Sequence, residues 1–324
     1  MKRHLLLPFA LFAACATSPD PRREPAVEAA AREKDLREDD AKRRDFKAVL
    51  VRLDQAIDSY VKALADQGEF RADQQQERLY KIVHETVMDI GPVLATKGMP
   101  APRPGETFAR LQALATDGSN PDAQAIALSA LGFSGNLEVM PTILQGAQLS
   151  DSFLVDHAVL GLAVLKAPNT PPGVLAAVVE RADHREDGRV QAAWAIYRIQ
   201  TATERTQPIV EIWQRFLANR DTLPVGVLVN AVRGLGLTRN AAHADAVAEV
   251  LKHPTGQVRM AAALALGRLN AQTHWPQLVE MLHPSETVPN VRLTARKALA
   301  ALAGGTDHEY DIEAWRKTFD RGSR

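Results

Sequence analysis

Apolar residues return along most of this chain at intervals of three and four, the spacing that puts them on one side of an α-helix. Phe46, Val49, Leu50, Leu53, Ile57, Tyr60, Val61 and Leu64 predict one such helix, ended by Gly68. A second is expected from about Asp73, with Leu79, Ile82, Val83, Val87 and Ile90 on its apolar side and a stop before Pro92. The two read as an antiparallel hairpin over residues 46–96. Residues 97–106 (KGMPAPRPGE) are rich in Pro and Gly and mark a boundary. Ahead of the hairpin, residues 26–45 are almost wholly Ala and charge. There Glu28, Glu33, Glu38, Asp39 and Asp40 each precede a basic residue by four. That stretch reads equally as a semi-rigid helical arm or as a disordered charged linker.

Beyond the boundary the pattern becomes periodic. VRMAAALALGRL (Val258–Leu269) is echoed by VRLTARKALAAL (Val291–Leu302), 33 residues on, with small residues at the same offsets. With Gly267 and Ala300 as reference positions, equivalent residues upstream are Gly132, Ala163, Tyr197 and Gly236, at gaps of 31, 34, 39, 31 and 33 residues. Each follows an Ala-rich amphipathic stretch and precedes a turn and a second helix. Those second helices carry Ile143/Leu144, Val178/Val179, Ile212/Trp213, Val247/Val250 and Leu278/Leu282. A period of this size means stacked helical units, and small residues let one unit nest on the next. Tyr197 and the long gap after it predict one distorted repeat.

The phrase VRxxAAxALGxL, a turn and a second helix resemble the bacterial HEAT repeat in the form known from phycobilisome lyases. The resemblance covers about residues 107–303, closely in two copies and in outline in four. It implies an all-α fold, an α-solenoid of about six HEAT-like repeats preceded by the hairpin. As a packing pattern it implies almost nothing about activity. Residues 304–324 are expected to supply a terminal helix, with Trp315 and Phe319 four apart on one face to cap the open end. Arg189, Arg259 and Arg292 share a register near their helix starts. In this repeat type such arginines bridge neighbouring repeats through carboxylates or helix-end carbonyls, or else form a ladder for an acidic partner.

Composition agrees with closely approaching helices: 46% of residues are apolar, yet there are only nine Phe, four Tyr and four Trp. Lys plus Arg equals Asp plus Glu at 39 each, so no basic field draws in nucleic acid. The single cysteine, Cys15, excludes a disulfide framework and a cysteine-rich metal site.

That cysteine supplies an address. Residues 1–16, MKRHLLLPFALFAACA, have a basic start, a short apolar run and small residues, the three parts of a secretory signal. Leu11-Phe12-Ala13-Ala14-Cys15 resembles the bacterial lipobox, departing from it at Phe12, where Leu is usual. The resemblance implies a signal peptide over residues 1–14, lipidation of Cys15 and a tether over residues 15–45. With Ala16 rather than Asp after the cysteine, it points to the periplasmic side of the outer membrane. Cleavage after Ala16, giving a soluble periplasmic or secreted protein, is the alternative. Loss of Lys2 and Arg3 with the leader would leave acidic residues in slight excess, again against nucleic acid.

No GxSxG, GxxxxGK or HExxH motif occurs. His84-Glu85 and His308-Glu309 form two HE pairs, as in the HEAT-repeat di-iron hydroxylases. Those enzymes carry four, inside the repeats, whereas here the pairs lie outside them, so neither a metal nor a cofactor is expected. Asp183–Asp187 reads as a solvated inter-repeat turn. Trp194 and Trp213 are expected to be buried, and Trp275 partly exposed.

In HEAT arrays the second helices line the concave side. Here they would offer Arg181, Glu211, Gln214, Arg215, Lys252, Trp275, Gln277 and Glu280 as candidate partner-binding residues. The mixed charge suits a protein or peptide rather than a small-molecule substrate. The expectation is a non-catalytic protein-interaction scaffold held to the membrane by an N-terminal lipid and binding an envelope protein. A structural envelope spacer without a ligand is the alternative, and a bilin-lyase-like enzyme a remote one that the signal peptide argues against.

Overall fold

The first helix starts beyond residue 120 are set by proline and side-chain caps. Asn120 accepts the Ala123 amide with Pro121 in the first turn, and Asp151 accepts that of Phe153. The computed structural model describes residues 23–65, 70–90 and 105–322. Among the described residues there are fifteen α-helices and no strand. The expected leader, Cys15 and the start of the expected tether lie outside them.

The chain divides into two compact units between Val49 and Leu50. The first contains the charged part of α1 (Arg23–Ala65), where exposed Glu33 and Arg37 pair at 2.6 Å. The segment left open between arm and linker is therefore helical. The expected break between tether and hairpin at residues 45/46 is not a helix boundary, because α1 runs through it. With many charges spaced four apart and Ala between them, nothing in the sequence stops the helix there.

In the second unit, Leu53, Ile57, Tyr60 and Ala63 of α1 are buried, as are Val83 and Val87 of α2 (Phe70–Val87). Gln76 Nε2 donates to the Ala63 carbonyl at 2.9 Å and joins the two helices. The helix α2 ends earlier than its apolar spacing predicts: Ile90 lies beyond it and is exposed, after Asp89 turns the chain at φ 55°. The short α3 (Glu106–Leu114) follows.

Six helical pairs come next: α4 (Pro121–Leu131) with α5 (Met140–Gly146), α6 (Ser152–Leu165) with α7 (Pro172–Glu180), and α8 (Glu186–Gln200) with α9 (Gln207–Ala218). They continue with α10 (Val225–Leu237) and α11 (Ala244–Ala248), α12 (Gly256–Arg268) and α13 (Trp275–Glu280), and α14 (Pro289–Leu302) and α15 (Ile312–Gly322). The first helices pack side by side in the order α4, α6, α8, α10, α12, α14 and form layer A, and their partners form layer B. This is an α-solenoid.

The reference positions are its seam. A Cβ on Gly132 would lie 2.6 Å from Gly161 Cα, and one on Gly236 or Gly267 would lie 3.0 Å from the Cα of Ala265 or Ala298. Each of these seam glycines thus meets the residue two before the next seam position. Where the seam carries bulky Tyr197, the following helix has Gly234, and a Cβ there would fall on the Trp213 indole of α9. The long gap is filled by the full-length α9 and a 3₁₀ turn at Arg220–Thr222. At the far end Trp315 is fully buried, donates Nε1 to the Glu309 carbonyl at 3.0 Å, and stands beside Phe319.

Candidate interaction surfaces

The three arginines in register do the same job. Arg189 Nε donates to the Val179 carbonyl at 2.7 Å, Arg292 Nε to that of Leu282 at 3.0 Å, and Arg259 to those of His253 and Pro254, each at 2.8 Å. Arg189 and Arg292 thereby satisfy carbonyls at the end of the preceding second helix, and Arg259 those of the loop that follows it, groups with no intrahelical partner. Arg259 also makes a two-pronged pair with Glu286 at 2.8 and 2.9 Å, both side chains mostly buried.

Burial alone would raise the Glu286 carboxyl, but hydrogen bonds from Arg259 and the Val288 amide, with the Arg259 charge, hold it below its ordinary value. A depressed carboxylate contributes stability above its unfolded value and loses it as pH falls through the folded one. Unfolding midpoints should therefore drop as pH is lowered below about 4.3. Glu286→Gln should flatten that part of the profile in a pH series of thermal melts, and an unchanged slope would contradict the role given to Glu286.

Layer B holds the candidate residues predicted from sequence, and much of that polar set is engaged within the array. Arg181, just past α7, donates to the Leu149 and Ser150 carbonyls at 3.3 Å and pairs with Asp183, whose carboxyl it holds below the usual range. On α9, Arg215 Nε reaches Glu180 of the preceding repeat at 2.8 Å. Gln214 lies 3.3 Å from His243 of the next repeat, and Glu211 accepts from Gln207 at 3.1 Å. Trp275 stacks on Phe319 at 5.2 Å, so α15 covers part of the surface expected to be open. Gln277 is half-buried, while Lys252 and Glu280 are exposed. The structure brings Glu211, Gln214 and Arg215 together on one helix and does not gather all eight into one site.

Other expectations are corrected by long-range packing. Trp194 is half-exposed on layer A, with Arg198 over its ring at 5.3 Å. His184, in the loop read as solvated, is buried and 2.8 Å from Asp156 in the preceding repeat. His274 repeats that arrangement with Asp245 at 2.9 Å. Of the HE pairs, His84 donates to the Phe133 carbonyl at 2.7 Å and His308 lies 2.7 Å from the Thr318 hydroxyl. Both are packing contacts. Among the described residues, no three or more His, Cys, Asp or Glu side chains gather as a metal site would need, and no helix is long and apolar enough to cross a membrane.

Two layers of stacked helical pairs joined by these contacts make a helical-repeat scaffold. Residues 221–307, which hold α10 to α14, match the family described as HEAT repeats. No curated protein matches the chain by sequence. Among solved structures the chain is similar to an engineered protein, with 18% identity and a TM-score of 0.45 over 60% of this chain and 96% of that one. It is also similar to the CpcE–CpcF complex of phycocyanin lyase from a Nostoc species: 15% identity, TM-score 0.37, 80% of this chain and 92% of that one. Human deoxyhypusine hydroxylase in complex with glycerol matches at 16% identity and a TM-score of 0.29, over 85% of this chain and 98% of that one. Likenesses at this level carry no argument about activity.

Proposed function

We propose that this chain is a non-catalytic scaffold that binds a protein or peptide along its solenoid, held in the bacterial envelope by a lipid on Cys15. The observation that supports the reading is the array itself. Stacking is handled by Gly, Ala and the arginine–carbonyl ties, and the outer faces of both layers hold side chains at repeat intervals on a rigid support. Such surfaces suit an extended partner. The envelope address is supported by the lipobox-like LFAAC run alone. Several acyl chains would hold the protein far more firmly than one.

A pull-down from envelope extracts tests the reading, with wild type beside Arg215→Glu/Lys252→Glu. Exposed pairs such as Arg215–Glu180 contribute about 0–1 kcal/mol, so this variant stays folded. A defined partner recovered by the wild type is the expected result. Loss of that partner in the variant would assign binding to layer B, and no recoverable partner would contradict the scaffold. The mass of the mature N-terminus, compared with Cys15→Ala, tests the lipid: acyl mass on the wild type alone supports it, and cleavage after Ala16 excludes it.

A further inference from the structure

The outer face of layer A is unlike the rest of the surface. The helices α10, α12 and α14 contain no Asp or Glu, and α8 has them only in its first turn. Their outward positions carry Trp194, Leu264 and Leu293 among Arg233, Arg268 and Lys297. Leu264 and Leu293 are 36% and 37% exposed. Two guanidinium groups lie over rings, Arg198 over Trp194 at 5.3 Å and Arg233 over Tyr197 at 4.8 Å. A contact of this kind orders the cation without using up its hydrogen-bond donors.

The first two repeats show how the same face is covered. Phe133 occupies the position equivalent to Arg268, and its ring meets Tyr60 of α1 at 5.1 Å and Tyr80 of α2 at 5.5 Å. Leu160 and Val164 of α6 are buried, and Asp54 and Asp58 of α1 lie within electrostatic reach of His157. So α1 brings an apolar face of Leu53, Ile57 and Tyr60 flanked by carboxylates. Arg198 is within electrostatic reach of Tyr60, so the covered and open parts of the face adjoin.

We propose that the outer face of α8, α10, α12 and α14 is a docking row for an acidic amphipathic helix of a partner protein. The inference rests on the scaffold reading and assigns its face and its partner's chemistry. Four helices packed about 9 Å apart span about 27 Å, the length of a helix of about 18 residues. Apolar residues on one side of that helix would cover Leu264 and Leu293, and flanking carboxylates would meet the cations.

Fluorescence polarisation with the full chain tests this, using a labelled Leu/Glu amphipathic helical peptide of about 18 residues and its Leu/Lys counterpart. The Leu/Glu peptide should bind and the Leu/Lys peptide should not. Affinity should fall about tenfold or more in Arg233→Glu/Arg268→Glu, and by a similar factor in Leu264→Asp, with little change in Arg215→Glu/Lys252→Glu. Lys297→Glu, at an exposed position, gives a second reading that does not depend on refolding. Binding of both peptides alike, of neither, or equally by the layer A variants would overturn the proposal. So would binding of phosphatidylglycerol vesicles through Arg233 and Arg268 in place of the peptide, which would make the row a membrane contact. Loss confined to the layer B variant would leave the scaffold standing and this face wrong.

Discussion

Gly132→Ala should destabilise the protein by about 3 kcal/mol, one of the largest effects open to a single added methyl group. The new Cβ would fall on the Gly161 backbone, within 2.6 Å of its Cα, and neither partner is a side chain that could swing away. Gly132 caps the end of α4 against Gly161 of α6, and Gly161 in turn faces the Leu128 carbonyl. The two helices would have to separate, opening a seam between the first two repeats. Urea unfolding of the full chain checks this, with Gly118→Ala as control because a Cβ there meets nothing within 4 Å. Equal stabilities for the two variants would show that the seam is not the tight contact described here. Gly267→Ala should fall between them, since its nearest neighbour is 3.0 Å away and Ala occupies the equivalent place at Ala300.

Trp213→Ala should cost about 4 kcal/mol, for a different reason. Trp213 is fully buried in α9, and its Nε1 donates to Gln200 Oε1 at 2.8 Å. Gln200 Nε2 donates to the Gly234 carbonyl at 2.9 Å, so one buried chain of hydrogen bonds ties α8, α9 and α10. Truncation leaves a cavity beside Gly234 and strips Gln200 Oε1 of its donor. The double variant with Gln200→Ala should be less destabilised than the sum of the singles, because both remove the same bond. Strict additivity in chemical denaturation would contradict the network.

These two sites differ in how far the sequence discloses them. The seam was legible: Gly132, Gly236 and Gly267 recur at nearly fixed spacing, and small residues at a fixed period have a steric reason. The register of Arg189, Arg259 and Arg292 was also legible, because a residue at the same turn of each helix faces the carbonyls just before it, of the second helix or of the loop after it. Tyr197 was visible as an irregularity, but the space that Gly234 leaves for Trp213 was not, since that depends on which side chain fills the gap between repeats. His184 shows the same limit. Its partner Asp156 lies 28 residues away, and only stacking brings the two together.

The candidate surface was the least legible part. Arg181, Arg215 and Trp275 read as outward-facing from their helical positions, yet each meets a neighbouring element that periodicity cannot place. Trp194 fails in the opposite sense, with an aromatic residue set outward where an apolar pattern implies burial. The layer A row had a signal in the sequence, the lack of carboxylates through α10, α12 and α14. It becomes a surface only once Arg233, Leu264, Arg268 and Lys297 are known to lie on adjacent helices facing one way.

In-cell photocrosslinking tests the scaffold most directly. A photoreactive residue is placed in the full chain at position 268 on layer A, at position 252 on layer B, or at position 118 in the loop before α4. A discrete adduct with one protein is expected from position 268 and none from position 118. Adducts from position 252 alone would move the binding face to layer B. No specific adduct from either layer would contradict the claim that this solenoid holds a partner.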